Sequence, residues 1–300
     1  MESLSLTSQL LQFIVTGLTV GAIYAMVAIG FNIIYNVTDI INLAQGEFVM
    51  LGGLVMVSMH VSLGLPLIVA FVMTVVIVTI VGMLLERLAI RPIRRPSVMT
   101  LIIATIAASI IIKGVAMLRW GKSPYDLPAF SGRTPIHLGS VVVQPQYLWV
   151  IGILALVAIG LTLFFNRTIL GKAMSACADN ADAARLVGIN VNRMVMLSFA
   201  LSAAIGAMAG LTMTPIALMD YDRGAMLAIK GFGAAILGGL GSFPGAILGG
   251  LILGLIESLG AGLLASGYKD AYALIVLLGV LFIRPSGILG NLEISKFKRF

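Results

Sequence analysis

The sequence predicts an all-α, polytopic integral membrane protein with eight or nine membrane segments, and three observations carry this. Of its 300 residues, 60% are apolar and only 10% are charged, whereas a soluble domain is about half apolar and about a quarter charged. The mean hydropathy is +1.10, so there are too few charges to cover a water-facing surface. Apolar runs near the ~20 residues that cross a bilayer recur along the whole chain. A single domain over 1–300, without a soluble module, is therefore expected. The net charge of +7 suits basic loops beside a membrane rather than nucleic-acid binding. The one cysteine, Cys177, excludes an intrachain disulfide.

Taken in order, the first span is expected at 10–35 and contains Asn32. The second, at 43–62, opens on a polar patch, and Asp39, Asn42, Gln45 and Glu47 lie close together in VTDIINLAQGEF. Asn42 and Gln45 are placed on one helical face, where they could end a helix within the membrane or line a cavity. The third span, at 66–90, runs into a basic cluster of Arg87, Arg91, Arg94 and Arg95. The fourth, at 98–118, contains Lys113. The segment 119–146 is rich in Pro, Gly and Ser and reads as a loop with a short hairpin around 136–143. A fifth span follows at 147–166 and a sixth at 191–213. A shorter piece at 225–240, carrying Lys230, is a span, a half-span or a re-entrant segment. The last spans are expected at 244–265, with Glu257, and at 271–289. No Lys or Arg precedes Arg87 and the start carries Glu2, so no cleavable leader is expected.

Lys and Arg in short loops orient such a chain. The cluster at 87–95, the residues Arg167, Lys172, Arg185 and Arg193, and the tail with Arg284, Lys296, Lys298 and Arg299 are all expected inside. With nine passes the N-terminus then lies outside. The loop 119–146 is also outside, although it holds Arg119, Lys122 and Arg133.

The stretch 167–193 interrupts the apolar chain and has the marks of a folded element. Asn180 can cap a helix by accepting from its first-turn N–H groups. Asp182 then sits near the positive end and Arg185 near the negative end. Gly188 can adopt the left-handed conformation that stops the helix. A helix at 181–187, preceded by another at 172–178, follows. Ala184 and its neighbours are small enough for a partner to approach closely. The stretch is read either as a docking element or as an ordered connector.

Gly241, Gly245 and Gly249 recur every four residues, and Gly250 and Gly254 repeat the spacing. On a helix such residues share a face and let backbones pack closely. Pro244 can start that helix. Gly17 with Gly21 and Gly206 with Gly210 are read the same way. Charges inside a bilayer usually face protein or water, so Lys230 is expected to pair with Glu47 or Glu257.

Catalytic signatures are absent. Gly121-Lys122-Ser123 resembles the end of a phosphate-binding loop, but Ala116 stands where its first glycine is required. His60 and His137 with one cysteine make no plausible metal site. The chain is expected to be no enzyme and to hold no cofactor.

Five segments resemble one family. GKAMSACADNADAARLVGINVNR at 171–193 is similar to the conserved cytoplasmic loop of the permeases of branched-chain amino acid ABC importers. INLAQGEFVMLGG at 41–53, ERLAIRPIRRPS at 86–97, the Gly-rich 230–258 and the last span at 268–290 match that family's other signatures, in order. The likeness is to the LivH-type subunit and covers nearly the whole chain. It implies the ABC importer permease fold in the inner membrane and a homologous LivM-type permease partner. It also implies two cytoplasmic ATPase subunits carrying ATP and Mg, and an extracytoplasmic substrate-binding protein. Residues Lys172, Asn180, Asp182, Ala184, Arg185 and Gly188 would then belong to a coupling loop, 167–193. Asn42, Gln45, Glu47 and Lys230 are candidates for the translocation path. Two alternatives stay open: a related permease for urea, short amides or other small polar solutes, and an ion-coupled secondary transporter using the patch around Glu47.

Overall fold

The computed structural model describes residues 6–93, 97–132, 134–138, 141–264, 266–284 and 286–290. Glu2, Arg94, Arg95, Arg133, Lys296, Lys298 and Arg299 lie outside them. Among the described residues, the chain's regular elements are helices apart from one small hairpin and an isolated bridge between Tyr125 and Met219. Its helices are α1 (Leu6–Thr38), α2 (Gln45–Val57), α3 (Leu67–Leu85), α4 (Val98–Trp120), α5 (Pro145–Arg167), α6 (Ile169–Asp179), α7 (Ala181–Leu186), α8 (Val191–Met213), α9 (Arg223–Gly238), α10 (Phe243–Leu263) and α11 (Lys269–Ile283). The expected hairpin forms from β1 (Ile136–Leu138) and β2 (Val141–Val143), antiparallel with Ile136 opposite Val143.

Among the described residues, seven helical stretches are long and apolar enough to cross a membrane: α1, α3 with its π-helical extension to Ile90, α4, α5, α8, α10, and Ser266–Ile283. The other two expected segments form α2, of 13 residues, and α9, of 16. Helix α2 is buried along its whole length, and α1 is buried without a break from 21 to 34. Helices apolar on every side belong in the middle of a bundle. Helices α3, α4, α5 and α11 lie at the outside of the bundle and leave Ile68, Ile110, Leu156 and Phe282 exposed.

The two ends of the bundle differ. At one end Gln12 of α1 clasps the hairpin, donating to Val142 O and accepting from Val142 N, both at 3.0 Å. Helix α5 starts beside that hairpin and, at about 1.5 Å per residue, carries the chain to the other end, where α6 and α7 follow. There Phe165 of α5 stacks on Phe243 of α10 with ring centroids 5.1 Å apart. The segment after α11 joins the same end, with Ile288 N donating to Leu237 O at 2.8 Å. Gly82, near the end of α3, packs on Phe199 in the first half of α8. The basic residues Arg87, Arg91, Lys172, Arg185 and Arg284 therefore gather at one end.

The glycine spacing works differently from the expectation at one position. Gly241 is not on a helix. Its φ of +88° places it in a turn, whose carbonyl accepts from Asn36 Nδ2 at 3.0 Å. Helix α10 starts only after that turn, with Pro244 in its first two positions and Ser242 Oγ accepting from Gly245 N at 3.1 Å. Gly245 and Gly249 then face α9, while Gly250 and Gly254 face α1 at Ala25 and Gly21. A Cβ at Gly254 would overlap the Gly21 backbone. Gly254→Leu is expected to destabilise the bundle by about 3 kcal/mol, the top of the typical overpacking range, because backbone cannot move aside as a side chain does. A lowered melting temperature of the detergent-solubilised protein checks this.

Candidate functional site

The segment between α5 and α8 is folded because each of its helices has its own start signal. Thr168 Oγ1 accepts from Gly171 N at 2.9 Å and begins α6. Asn180 Oδ1 accepts from Asp182 N at 3.0 Å and Ala183 N at 2.9 Å and begins α7. Gly188, with φ +89°, lets the chain leave α7, and Asn190 Oδ1 accepts from Arg193 N at 3.1 Å to begin α8. The segment is anchored by buried Met174, Cys177 and Ala184. Burial pushes the Cys177 thiol up, against the opposing pull of the Arg185 guanidinium. Outward it presents Ile169, Leu186 and Val187, with Leu186 90% exposed. Asp182 and Arg185 pair with each other at 2.9 Å and are both exposed. Such a pair contributes at most about 1 kcal/mol, so within the chain its effect is to shape α7. Lys172 is exposed on α6.

The polar patch breaks the chain between α1 and α2. Asp39, at φ +56°, ends α1, and residues 39–44 are not helical. Asn42 therefore does not share a helical face with Gln45. It lies ahead of α2, where its Oδ1 accepts from Ala44 N at 3.2 Å. Gln45 opens α2 and reaches α8: its Nε2 donates to Ser202 O at 3.3 Å, and Ser202 Oγ lies 2.5 Å from its Oε1 and 2.8 Å from Gly30 O. Glu47 Oε1 accepts from Ser109 Oγ of α4 at 2.9 Å. One helical turn further along α4, Lys113 pairs with Asp222, beside the Tyr221 ring.

Lys230 pairs with Glu257 rather than Glu47. Its Nζ donates to Glu257 Oε1 at 2.8 Å and to Tyr24 Oη at 3.0 Å, and it contacts Asp270 Oδ1 at 2.6 Å. Tyr24 Oη donates in turn to Glu257 Oε2 at 2.8 Å. This network ties α1, α9, α10 and α11 together. It borders a cavity of about 390 Å³ lined by Gln12, Phe13, Val20, Gly254 and Lys269, among others.

Residues 13–284 match the family described as "Branched-chain amino acid transport system / permease component". The chain belongs to this family. It is 35% identical over 299 residues to the high-affinity branched-chain amino acid transport system permease protein BraD of Pseudomonas aeruginosa, covering 95% of this chain and 97% of that one. Identity to the corresponding protein LivH of Escherichia coli is also 35%, over 301 residues, with the same coverage. The ribose import permease protein RbsC of Haemophilus influenzae is 28% identical over 273 residues, covering 87% of this chain and 81% of that protein.

In this permease, sequence reasoning missed five polar partners. Tyr24, Ser109 and Ser202 carry no charge and sit inside apolar runs, so nothing in the sequence marks them. Asp222 precedes the 225–240 piece and Asp270 stands one residue ahead of the expected last span. Both were legible as charges at the edge of an apolar segment, where a Lys within an apolar run requires partners.

Proposed function

We propose that this chain is the translocating subunit of a bacterial inner-membrane ABC importer for branched-chain amino acids, with α6 and α7 as its coupling element. The observation that carries the reading is the segment 168–188. It is capped at each helix, is fixed to the bundle by buried side chains, and holds bare apolar side chains out at the basic end of the molecule. A connector between spans has no need of an exposed Leu186 and Val187. A groove on an ATPase subunit would cover them. Lys172, Asn180, Asp182, Ala184, Arg185 and Gly188 shape or border that contact, and 167–193 acts as a unit within one 1–300 domain. Two ATPase subunits bind ATP and Mg, a LivM-type permease pairs with this chain, and a binding protein docks over the hairpin end. The basic end is cytoplasmic, in keeping with the distribution of Lys and Arg. Counting α2 and α9 as segments gives nine, with the N-terminus outside and the C-terminus inside. The relatives' names and the family match support branched-chain amino acids as cargo.

Reconstitution in liposomes tests this. Labelled leucine is expected to accumulate only with ATP, both permeases, the ATPases and the binding protein present, while ribose and urea do not enter. Leucine uptake by this chain alone under a sodium or proton gradient would falsify the reading in favour of a secondary transporter.

A further inference from the structure

Among the described residues, two buried carboxylate oxygens outside the Lys230 network accept no hydrogen bond, Glu86 Oε2 beside the basic cluster and Glu47 Oε2 within the bundle. Glu47 is 2% exposed, and Oε2 has no hydrogen-bond partner among the described residues. The oxygen lies where two helices begin. The first turns of α2 and α9 touch at Gly46 and Gly224, and Oε2 is 2.9 Å from the Cβ position of Gly224, the second residue of α9. Neither helix has a side-chain cap: Ala44 precedes α2, and Asp222 makes no cap bond to α9. Backbone turns take up some of the first N–H groups, with Gln45 N donating to Asn42 O at 3.1 Å, Glu47 N to Ala44 O at 3.1 Å and Arg223 N to Asp220 O at 3.4 Å. No side chain takes up those of Gly224 and Ala225 in the first turn of α9. Such a start carries positive potential, and broken helices whose starts meet inside a membrane are suited to holding anionic groups. A carboxylate oxygen that accepts nothing and a helix start with no cap thus stand side by side.

The surroundings lead from this point to the molecular surface. Ser109 is at the midpoint of α4, and Lys113 lies one turn beyond it. The Lys113 and Asp222 side chains are 35% and 61% exposed. Charges near the middle of a span cost at least ~2.5–3.5 kcal/mol against lipid, so this face meets water or protein. Glu47 and Asp222 together outnumber Lys113 by one negative charge, and Arg223 donates to Leu218 O at 3.3 Å.

We propose that Glu47 and the uncapped first turn of α9 form a station for the zwitterionic head of a free α-amino acid. The ammonium binds at Glu47 Oε2 and the carboxylate at the α9 backbone, and Ser109 and Asp222 line the way in. Glu47 is buried in this conformation, so the station is closed here. The proposal rests on the amino-acid permease reading and adds the residues that hold the cargo within the membrane.

The test is equilibrium binding of labelled leucine to the membrane-embedded complex of both permeases and both ATPases, in nanodiscs. Leucine is expected to bind. Neither 4-methylpentanoate, which lacks the ammonium, nor 3-methylbutylamine, which lacks the carboxylate, should displace it, and sodium should have no effect. Glu47→Gln should weaken binding at least tenfold while complex yield and melting temperature are retained. Lys113→Met, which removes a competing cation, should bind leucine at least as tightly as the parent. A merely structural cluster would lose binding, or leave it unchanged, in both variants alike. Displacement by the amine or by sodium would instead identify a plain cation site. Any of these results overturns the station, as does absence of leucine binding to the parent. If the complete importer still carries leucine into liposomes, the permease reading survives that failure; if it does not, both fall.

Discussion

Ala184→Pro in α7 is expected to abolish leucine uptake while the protein still inserts and assembles in the membrane. Ala184 N donates to Asn180 O at 2.9 Å, the first backbone bond of α7. Proline removes that donor and costs about 3 kcal/mol inside a helix. A helix of six residues cannot sustain itself in isolation, so a loss of this size unravels it. The spans are untouched, because α6 and α8 carry their own caps at Thr168 and Asn190. On the coupling reading, ATP hydrolysis then continues without transport. Leu186→Asp is a second route to the same end, since it keeps α7 and spoils the apolar surface that Leu186 offers. Uptake, ATPase rate and membrane yield, measured side by side, check both. Normal uptake in the two variants would remove α7 from the coupling path.

Lys230→Met is expected to be the most destabilising single substitution in the bundle. Lys230 and Glu257 side chains are each 8% exposed. Removing the cation strands Glu257 without a counter-charge, and breaking a buried pair in this way costs about 3–5 kcal/mol. Asp270, 44% exposed on its side chain, loses its partner but keeps some solvent. The yield of folded protein and its melting temperature should both drop. Adding Glu257→Gln in the same chain should recover a large part of the loss, because the stranded charge is gone. A double-mutant cycle measures this as a coupling energy. If Glu257→Gln made Lys230→Met no better, the pair would not be the support it is described as.

Much of the coupling segment was legible because it is built from local rules. An N-cap acts over three residues, and a left-handed exit acts at one, so Asn180 and Gly188 could be read directly from their neighbours. The hairpin at 136–143 and the Gly-rich helix were legible for the same reason. Gly241 misled because its spacing matches that of Gly245 and Gly249, while it sits in a turn closed by Ser242 N donating to Gly239 O, one residue ahead of the Ser242 cap of α10. Asn42 misled similarly, since the break at Asp39 removes the helix on which the spacing was counted. The polar patch was visible as a cluster, but not its assignments: Glu47 joins Ser109, and Lys230 joins Glu257, Tyr24 and Asp270.

By itself the sequence determined the membrane class, the long apolar helices, the basic loops and the folded segment between α5 and α8. Composition and short-range capping carry that information, and neither depends on which helices become neighbours. Only the tertiary structure decided which charges meet, that α2 and the 21–34 stretch of α1 have no outer face, and that the first turns of α2 and α9 come together at Gly46 and Gly224. These depend on contacts between distant parts of the chain, where a glycine or a buried carboxylate is compatible with several helix neighbours until packing selects one.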